Sequence, residues 1–586
     1  MKKMKKILAF VMAMAMVLGM SVTALAATPG QGNEFGKEGD KGSITISGIA
    51  EEAGIEIALY PVVEAIYDPT TEVFEKYEVV KKADGTPLYT LTKDADGNYV
   101  IDQETLDAIG TVAQTSGTPL ADIEWEYDIA AGGYKTKTDC VPVGMYLALI
   151  TGAEAKIYNY AVASLYYTVE DGDNTIGGGT LTLENANSIV KVSEHPDVEK
   201  TAKDSDGAVV PSANIGDEIS YTLKITDVPY YGGEAPVLNL VDTLSTGLTF
   251  KDNVVVKTTD AAGADKTLDE NTDYTVTTYE EVAEKEEADK TEEEKALTAG
   301  QILINFVVGG EYMLNPYAGK TVTVTYSAIL NENAAINEAG NTNGVVLNYT
   351  KDSKVNSGVK DTTEEKKTYT YTFDIDGAVT GSVTEGILTK TGEFNTTTNS
   401  NALDGATFTL YTQNPDEVDD AEVYKNYKFE EDGTKVELFG GTVESQNGGQ
   451  LPVRGLAEGT YYLKETEAPK DYTLNTHVFV IKIEGTYENN NDSENKGKLL
   501  SWTITIDGVT ANTFTVEQGN VTINKDVTVD GESVEGNVIG VDIPNTKISS
   551  LPSTGGIGTT IFTIGGCAIM ILAAGLYFAS RRKSAK

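Results

Sequence analysis

The chain has 586 residues, of which 89 are acidic and 45 basic, and its formal net charge is −44. Such a charge repels nucleic acid and anionic membranes, so we expect no nucleic-acid partner. With two cysteines and two histidines, the sequence offers no metal-ligand cluster, no disulfide framework and no nucleotide-binding fingerprint. It therefore predicts a protein without metal or cofactor, and its length predicts three or four domains.

The N-terminus has the pattern of a signal peptide. Four lysines in the first six residues precede an uncharged apolar run at 7–20, and Ala24 and Ala26 supply the small residues of a cleavage site. The sequence predicts removal of residues 1–26 by cleavage after Ala26. The chain that follows is expected outside the cell.

Strand periodicity dominates the remaining chain. Apolar and polar residues alternate in segments such as ISYTLKI at 219–225 and TVTVTYSAIL at 321–330, while helical patterns are scarce. The pattern predicts an all-β chain of three tandem Ig-like β-sandwich domains, at 27–188, 189–378 and 379–548. The charge-dense segment 279–297 interrupts the strand series, and we expect it to be a helical or mobile surface insertion.

Domain 27–188 opens with the strand-like segment SITISG at 43–48, which contains no lysine. Its later segment VPVGMYLALI at 141–150 resembles the late strand of pilin N-terminal domains. In domains of this type the opening strand often carries a lysine that forms an internal amide. Because 43–48 has none, we expect no internal amide in this domain.

Domain 189–378 contains three short motifs that lie far apart in the sequence. PDVEK ends at Lys200, NLVDTLSTGLTF at 239–250 contains Asp242, and NTNGVVLNYT at 341–350 contains Asn343. These motifs resemble the middle domain of the major pilins of Gram-positive bacteria. The resemblance implies a spontaneous amide between Lys200 and Asn343, assisted by Asp242. Asn348, on the same segment, is the alternative acceptor.

Domain 379–548 carries the longest motif. The box YYLKETEAPKDY at 461–472 contains Glu465, with Lys390 upstream in ILTK and Asn545 downstream in VDIPNTK. This set is similar to the B-type repeat of collagen-adhesin and pilin proteins. The resemblance implies that Lys390 attacks Asn545 and that Glu465 assists. Asp471 stands where the family usually has glycine, which alters a turn.

Burial explains why these residue types react with one another. Removal from water disfavours charge, so a buried lysine loses its proton and becomes a nucleophile, while a buried acid gains one. The protonated carboxyl group then polarises the asparagine carbonyl and shuttles protons as ammonia leaves. Each amide would tie the first strand of its domain to the last, which we expect to be neighbours. Loop closure would then stabilise each domain by about 5 kcal/mol.

The C-terminus combines a short motif, an apolar segment and a basic tail. An uncharged stretch at 557–579 is long enough to span a bilayer, and the tail 580–586 contains four basic residues. With LPSTG directly upstream, this arrangement resembles the cell-wall sorting signal of Gram-positive surface proteins, in which a membrane sortase cleaves between Thr and Gly. The resemblance implies a sortase site formed by Leu551, Pro552, Ser553, Thr554 and Gly555.

The amine that receives Thr554 decides the role of the protein. An amine of the wall peptide would make a lone surface protein, whereas an amine of another copy would make a polymer. Pilins place their acceptor lysine at the junction of the first two domains, often within YPKN. Here the junction reads NSIVKVSEHPDVEK, which lacks that motif. By location, Lys191 is the best match to the acceptor. The alternative interpretation is that Lys191 is an exposed strand lysine without a role.

These resemblances imply the structural subunit of a covalent surface pilus, extracellular and finally anchored to the cell wall. The implied partners are a sortase, identical subunits, peptidoglycan, and separate tip and base pilins. The protein would be a substrate and not an enzyme, apart from forming its own amides. One alternative is a monomeric wall-anchored adhesin that binds a host ligand. The other is a secreted hydrolase, which would have to use His195 or His477.

Overall fold

Strands dominate the computed structural model, so the prediction of an all-β chain is confirmed. Its described residues are 16–17, 36–93, 99–137, 140–154, 156–169, 181–184, 186–203, 211–232, 236–352, 360–375, 387–430, 433–489, 496–524, 527–529, 532–534, 536, 540–548, 564 and 566–577. They divide into two compact units. The first comprises residues 1–211, 217–334 and 341–370, and the second 212–216, 335–340 and 371–586. The predicted domain boundaries remain predictions.

The N-terminal part of the first unit contains two larger sheets. The five-stranded sheet has the order Leu181–Glu184, Ala161–Val169, Gly144–Thr151, Glu56–Tyr67 and Phe74–Val79. The four-stranded sheet has the order Ala186–Ile189, Ile44–Ser47, Gly133–Thr136 and Trp125–Asp128. Shorter pairings join Met16–Val17 and Thr92–Lys93 to Tyr99–Ile101, Lys41–Gly42 to Val141–Pro142, and Lys156–Tyr158 to Val192–Glu194.

The helix Gln103–Ser116 packs on one face of the five-stranded sheet and was not predicted from the sequence. Asp102 caps it by accepting a hydrogen bond from the backbone of Thr105. Its buried residues Ile109 and Ala113 share a core with alternate residues of the strand Gly144–Thr151. The other residues of that strand face the core shared with the four-stranded sheet. This two-sided burial explains why VPVGMYLALI is almost continuously apolar.

The other part of the first unit is a sandwich of two sheets. One sheet has the order Asp197–Lys203, Glu218–Thr226, Val322–Leu330, Val255–Thr259 and Asp265–Thr267, and Leu248–Phe250 also pairs with Val322–Leu330. The opposing sheet has the order Thr275–Thr278, Gln301–Asn305, Leu238–Leu244, Asn341–Thr350 and Lys360–Thr362, and Lys366–Thr370 also pairs with Asn341–Thr350. A small hairpin joins Val307–Val308 to Glu311–Tyr312, and a 3₁₀ turn covers Asn315–Tyr317.

The predicted surface insertion is helical over much of its length. It contains the helices Tyr279–Glu284 and Glu292–Lys295 and the 3₁₀ turn Glu287–Asp289. Thr278 and Thr291 each begin a helix with a capping box, which satisfies the free backbone amides of the first turn. Val282 and Leu297 pack against Leu303 of the sandwich. The insertion is therefore anchored by a small apolar contact.

The second unit is built around a seven-stranded antiparallel sheet. Its order is Thr442–Glu444, Thr407–Tyr411, Gly459–Glu467, Val478–Tyr487, Leu499–Ile506, Val509–Glu517 and Asn520–Ile523. A three-stranded sheet has the order Ser400–Ala402, Leu388–Asn395 and Val541–Pro544, and its last two strands run parallel. Two-stranded pairings join Phe373–Asp374 to Arg454–Leu456, Asn426–Phe429 to Lys435–Phe439, and Val527–Val529 to Glu532–Val534, and Asn337–Ala339 is a 3₁₀ turn.

Several terminal predictions fall outside the described residues. These are the cleavage site at Ala26, the sortase motif 551–555 and the tail 580–586. Of the predicted membrane segment 557–579, residues 564 and 566–577 are described, and they are helical. Within the part of the chain that the structure describes, no helix is long and apolar enough to cross a membrane.

Candidate functional site

In the sandwich of the first unit, the three residues named from the pilin-like motifs lie together in the core. The Lys200 Nζ atom is 2.7 Å from Asn343 Oδ1 and 2.5 Å from Asp242 Oδ2. The side chains of Lys200 and Asp242 have no exposed surface, and Asn343 is equally buried. An amine, an acid and a carboxamide are therefore in contact and shielded from water.

Strand register explains how these side chains meet. Lys200 lies opposite the buried Leu223 in one sheet, so both side chains point inward. In the opposing sheet Asp242 pairs with Val345, and Asn343 pairs with Leu244. Asp242 and Asn343 therefore occupy neighbouring inward positions on adjacent strands. Lys200 approaches them from the other layer.

Tyr326 is a fourth member of this site, and sequence reasoning missed it. Its hydroxyl group donates to Asp242 Oδ1 at 2.7 Å and accepts from Asn343 Nδ2 at 2.7 Å. The Lys200 ammonium also donates to it at 3.2 Å. The signal was available, because Tyr326 lies on the apolar face of the alternating segment 321–330. Its distance in sequence from Asp242 hid the contact.

Burial shifts the ionisation of both charged groups towards their neutral forms. Removal from water lowers the pKa of Lys200, and the nearby Asp242 carboxylate opposes that change. Burial also raises the pKa of Asp242, against the attraction of Lys200 and the hydrogen bonds that it receives. A neutral amine is a nucleophile, and a protonated carboxyl group is a proton donor. These are the forms that amide formation needs.

Asn348, the alternative acceptor, faces the other way on the same strand. Its side-chain nitrogen donates to Asn239 Oδ1 at 2.9 Å, and its oxygen accepts from Thr362 Oγ1 at 2.7 Å. Alternation along the strand separates it from Asn343. The described contacts therefore bring Asn343 to Lys200 and direct Asn348 to other partners.

In the second unit, the three residues named from the collagen-adhesin-like motifs also lie together. The Lys390 Nζ atom is 3.4 Å from Glu465 Oε2 and donates to the Ile543 carbonyl at 2.8 Å. Asn545 Nδ2 donates to Glu465 Oε1 at 2.6 Å. Lys390 is fully buried, and Glu465 and Asn545 are 1% and 6% exposed. Burial lowers the pKa of Lys390, while Glu465 opposes that change.

Parallel pairing positions this second site. Lys390 lies beside Ile543, and the backbone amide of Asn545 donates to the Thr391 carbonyl at 2.9 Å. Lys390 therefore lies on one strand, and Asn545, its predicted reaction partner, directly follows the strand that pairs with it. Across this strand Gly449 has φ +78°, and a Cβ atom there would lie 2.3 Å from the Lys390 carbonyl oxygen. Glycine is required at that close approach.

The turn after the Glu465 box accommodates the departure from the family pattern. Asp471 has φ +68°, in the left-handed region that glycine adopts freely. Aspartate is among the residues that tolerate this conformation best. The substitution therefore leaves the turn in the conformation that a glycine would favour.

Lys191 lies outside both buried sites. It is an exposed residue between the strands Ala186–Ile189 and Val192–Glu194, and its carbonyl accepts a hydrogen bond from the Asn159 amide at 3.0 Å. Its ammonium group sits over the ring of Tyr230, 3.8 Å from the centroid. Thr554, its predicted reaction partner, lies outside the described residues.

The two histidines make different contacts. His195 Nδ1 is 3.2 Å from the Tyr349 hydroxyl oxygen, and His477 Nε2 is 2.8 Å from Asp507 Oδ2. Neither of these hydrogen bonds involves a serine or cysteine nucleophile. Among the described residues, no group of three or more His, Cys, Asp or Glu side chains could hold a metal ion.

Comparison with known families finds a match in each of the two regions that carry the pilin-like and collagen-adhesin-like motifs. Residues 215–353 match the Gram-positive pilin backbone subunit 2, Cna-B-like domain, and residues 388–497 match a prealbumin-like fold domain. Residues 543–586 match the LPXTG cell wall anchor motif. The trypsin-resistant surface T6 protein of Streptococcus pyogenes serotype M6 is 24% identical over 98% of this chain and 99% of that protein. Together these matches support a Gram-positive major pilin.

The solved structures similar to this chain include two pilins. The T6 backbone pilin of serotype M6 Streptococcus pyogenes shares 17% identity, with 88% of this chain and 100% of that chain covered and a TM-score of 0.44. The major pilin SpaD from Corynebacterium diphtheriae shares 16% identity, with 89% and 100% covered and a TM-score of 0.37.

The family assigns this pilin its role. It is a structural subunit that assembles with identical copies, and it is extracellular and anchored to the cell wall. The predictions of family, fold class, function and location are confirmed at that level.

Proposed function

We propose that a sortase joins Thr554 of one subunit to Lys191 of the next. The sortase thiol attacks the Thr554 carbonyl and the Thr554–Gly555 bond breaks, which releases the segment beginning at Gly555 and leaves a thioester. The Lys191 amine then attacks the thioester, forms an amide and releases the thiol. Because donor and acceptor are different segments of the subunit, each joined subunit leaves one of each free, and the product is a filament. Peptidoglycan receives the last subunit.

We also propose that the pilin forms two internal amides, Lys200–Asn343 and Lys390–Asn545. The lysine amine attacks the side-chain carbonyl carbon of asparagine, the bond to the amide nitrogen breaks, and ammonia leaves. Asp242 and Glu465 carry the proton from the amine to the leaving nitrogen. The observation that carries this proposal is the burial of both lysines with no exposed side-chain surface, each beside an acid. Buried ion pairs of this kind contribute little stability by themselves.

The protein acts as a substrate in this scheme, and each internal amide forms once. The sortase and any tip or base pilins are further proposed partners. The family membership supports the assembly of identical subunits, and the anchor motif supports the wall attachment. The monomeric adhesin remains the outcome to expect if no polymer forms.

Denaturing gels of surface material test the intermolecular step. Cells that express the pilin with its sortase should show a ladder of covalent oligomers, and Lys191→Ala should abolish it. Lys203→Ala, an exposed lysine twelve positions further on, is the matched control and should leave the ladder intact. A persistent ladder in Lys191→Ala would show that another amine is the acceptor. A monomer in every sample would favour the adhesin.

A further inference from the structure

Three elements of the first unit meet around the proposed acceptor lysine. The Lys191 ammonium lies 3.8 Å from the centroid of the Tyr230 ring. The Tyr230 hydroxyl group hydrogen-bonds to Asp107 Oδ2 on the helix Gln103–Ser116. The side-chain amide of Gln103 donates to the other oxygen, Asp107 Oδ1, at 2.9 Å. We call Tyr230, Asp107 and Gln103 the lysine seat.

The backbone around the seat is fixed on both sides. The Tyr230 amide donates to Ser193 Oγ at 3.2 Å, which ties the ring to the strand that follows Lys191. Gly232 approaches the helix so closely that a Cβ atom there would lie 2.7 Å from Asp107 Oδ1. The backbone amide of Gly232 also donates to the side-chain oxygen Oδ1 of Asn159 at 3.3 Å. The backbone amide of Asn159 in turn donates to the Lys191 carbonyl. The seat and the lysine therefore share one hydrogen-bonded framework.

We propose that Tyr230 and Asp107 are positioning residues that present the Lys191 amine to the Thr554 thioester. This inference rests on the proposed transfer to Lys191. A lysine side chain free in water spreads over many rotamers, and holding its end on a ring face reduces that freedom before the thioester arrives. Asp107 acts through Tyr230, because its carboxylate fixes the hydroxyl group and thereby the plane of the ring.

Partial burial of its ammonium end favours the neutral, nucleophilic form of Lys191. It lowers the pKa of Lys191, although the Asp107 carboxylate opposes that change. Burial raises the pKa of Asp107 to about 6. The Tyr230 hydroxyl keeps its proton, because burial and Asp107 raise its pKa far above its ordinary value. Tyr160 is the further titratable group against this ring.

Variants of the ring separate its face from its hydroxyl group. Tyr230→Leu removes the face, and we expect ladder formation on cells to slow by about fivefold, as for the loss of an exposed cation–π contact. Tyr230→Phe keeps the face and should restore most of the rate. Asp107→Asn, which keeps a hydrogen-bonding side chain, should fall between them. The mass deficit of one ammonia at Lys200–Asn343 reports that each variant is folded.

A second measurement does not use the sortase. Cells that lack the enzyme display the full precursor, and a water-soluble acetylating reagent then labels its lysines over a range of pH. The labelling midpoint of Lys191 should lie below the ordinary lysine value of about 10.4 in the wild type. In Tyr230→Leu it should rise towards that ordinary value, which a purely structural role of the ring would not predict.

The outcomes separate the two proposals. Slower ladders in Tyr230→Leu, rescue by Tyr230→Phe and a shifted labelling midpoint support the seat. Wild-type ladder rates and an unshifted midpoint in Tyr230→Leu would overturn it while Lys191→Ala still abolishes the ladder. An intact ladder in Lys191→Ala would overturn both the acceptor assignment and the seat.

Discussion

The two buried lysine sites contain the same residue types but differ in how strands bring them together. Lys200 and Asn343 come from opposite sheets of a sandwich, whereas Lys390 lies on a strand whose parallel neighbour ends directly before Asn545. The expectation that the joined strands are neighbours holds for the second site and is wrong for the first. An amide in the first unit would join two layers, and one in the second unit would join two neighbouring strands of one sheet. The proposed chemistry would therefore depend on a buried contact and not on one strand arrangement.

Removal of the assisting acid should have the largest effect. Asp242→Ala should prevent the Lys200–Asn343 amide, with loss of about 5 kcal/mol of loop-closure stabilisation. The unpaired buried lysine should cost about 3–5 kcal/mol more. Intact mass should rise by one ammonia after correction for the substitution, and denaturant unfolding should report the lower stability.

Glu465→Ala is the matched variant in the second unit and should affect only the Lys390–Asn545 amide. If Asp242→Ala kept the full mass deficit, the assisting role of Asp242 would be disproved. If either variant removed both amides, the two sites would not be independent.

Removal of the acceptor asparagine should have the next largest effect on stability. Asn343→Ala should abolish the amide of the first unit and its stabilisation of about 5 kcal/mol. Asn348→Ala removes only its hydrogen bonds to Asn239 and Thr362 and should cost about 1 kcal/mol. Tandem mass spectrometry should find a Lys200–Asn343 cross-linked peptide in Asn348→Ala. A cross-link to residue 348 in the wild type would reverse the assignment.

A pH dependence should appear when the acid is missing. In the unreacted pair, a lowered lysine pKa and a raised acid pKa have opposite effects on the proton balance of unfolding. In Asp242→Ala the lysine alone remains, and the unfolded state then binds more protons because its lysine titrates near 10.4. The free energy of unfolding should therefore rise with pH up to about 10, by at most about 1.4 kcal/mol per unit.

Urea midpoints measured from neutral pH upward would check this slope. Glu465→Ala should give the same sign, because burial also lowers the pKa of Lys390. A flat profile in both variants would mean that the lysines are hydrated once the acid is removed.

Tyr326 should alter the rate of reaction with little effect on the final product. The second unit has no tyrosine among the hydrogen-bond partners described for its site, so Tyr326→Phe should slow only the reaction of the first unit. Loss of a hydroxyl group that contacts both Asp242 and Asn343 should slow amide formation by about a hundredfold. Pulse-labelled chains analysed by mass over time would give both rates.

Tyr349→Phe is the control for this variant. It removes another hydroxyl group from the strand that carries Asn343 and should leave the rate unchanged. Equal slowing in both units after Tyr326→Phe would indicate a folding defect and not a local role.

Short motifs were sufficient to name the lysine, the acid and the asparagine of both buried sites. Glu465 lies in a twelve-residue box, and Lys200, Asp242 and Asn343 each lie in a recognisable segment. The layer arrangement was not predictable, because strand alternation determines which way a side chain points but not which sheet its strand joins. Tyr326 was missed because its contact with Asp242 spans 84 residues, and the sequence does not show that their two strands face each other.

The helix Gln103–Ser116 escaped prediction because its sequence is a weak helix former. It contains threonines and Gly110, and such residues lower helix propensity. Packing requires the glycine, since a Cβ atom there would lie 2.0 Å from the Tyr160 ring. Tertiary contacts therefore stabilise this segment as a helix, and the helix in turn positions Asp107.

The position of Lys191 ahead of Lys200 determines where tension runs in a filament joined as proposed. Force would enter at Lys191, reach the Lys200–Asn343 tie nine residues later, continue to the tie at Lys390, and leave beyond Asn545 at Thr554. Residues before Lys191 would then lie outside this covalent path and would carry no tension. A domain that bears no load needs no internal amide, which matches the absence of a lysine from its opening strand at 43–48.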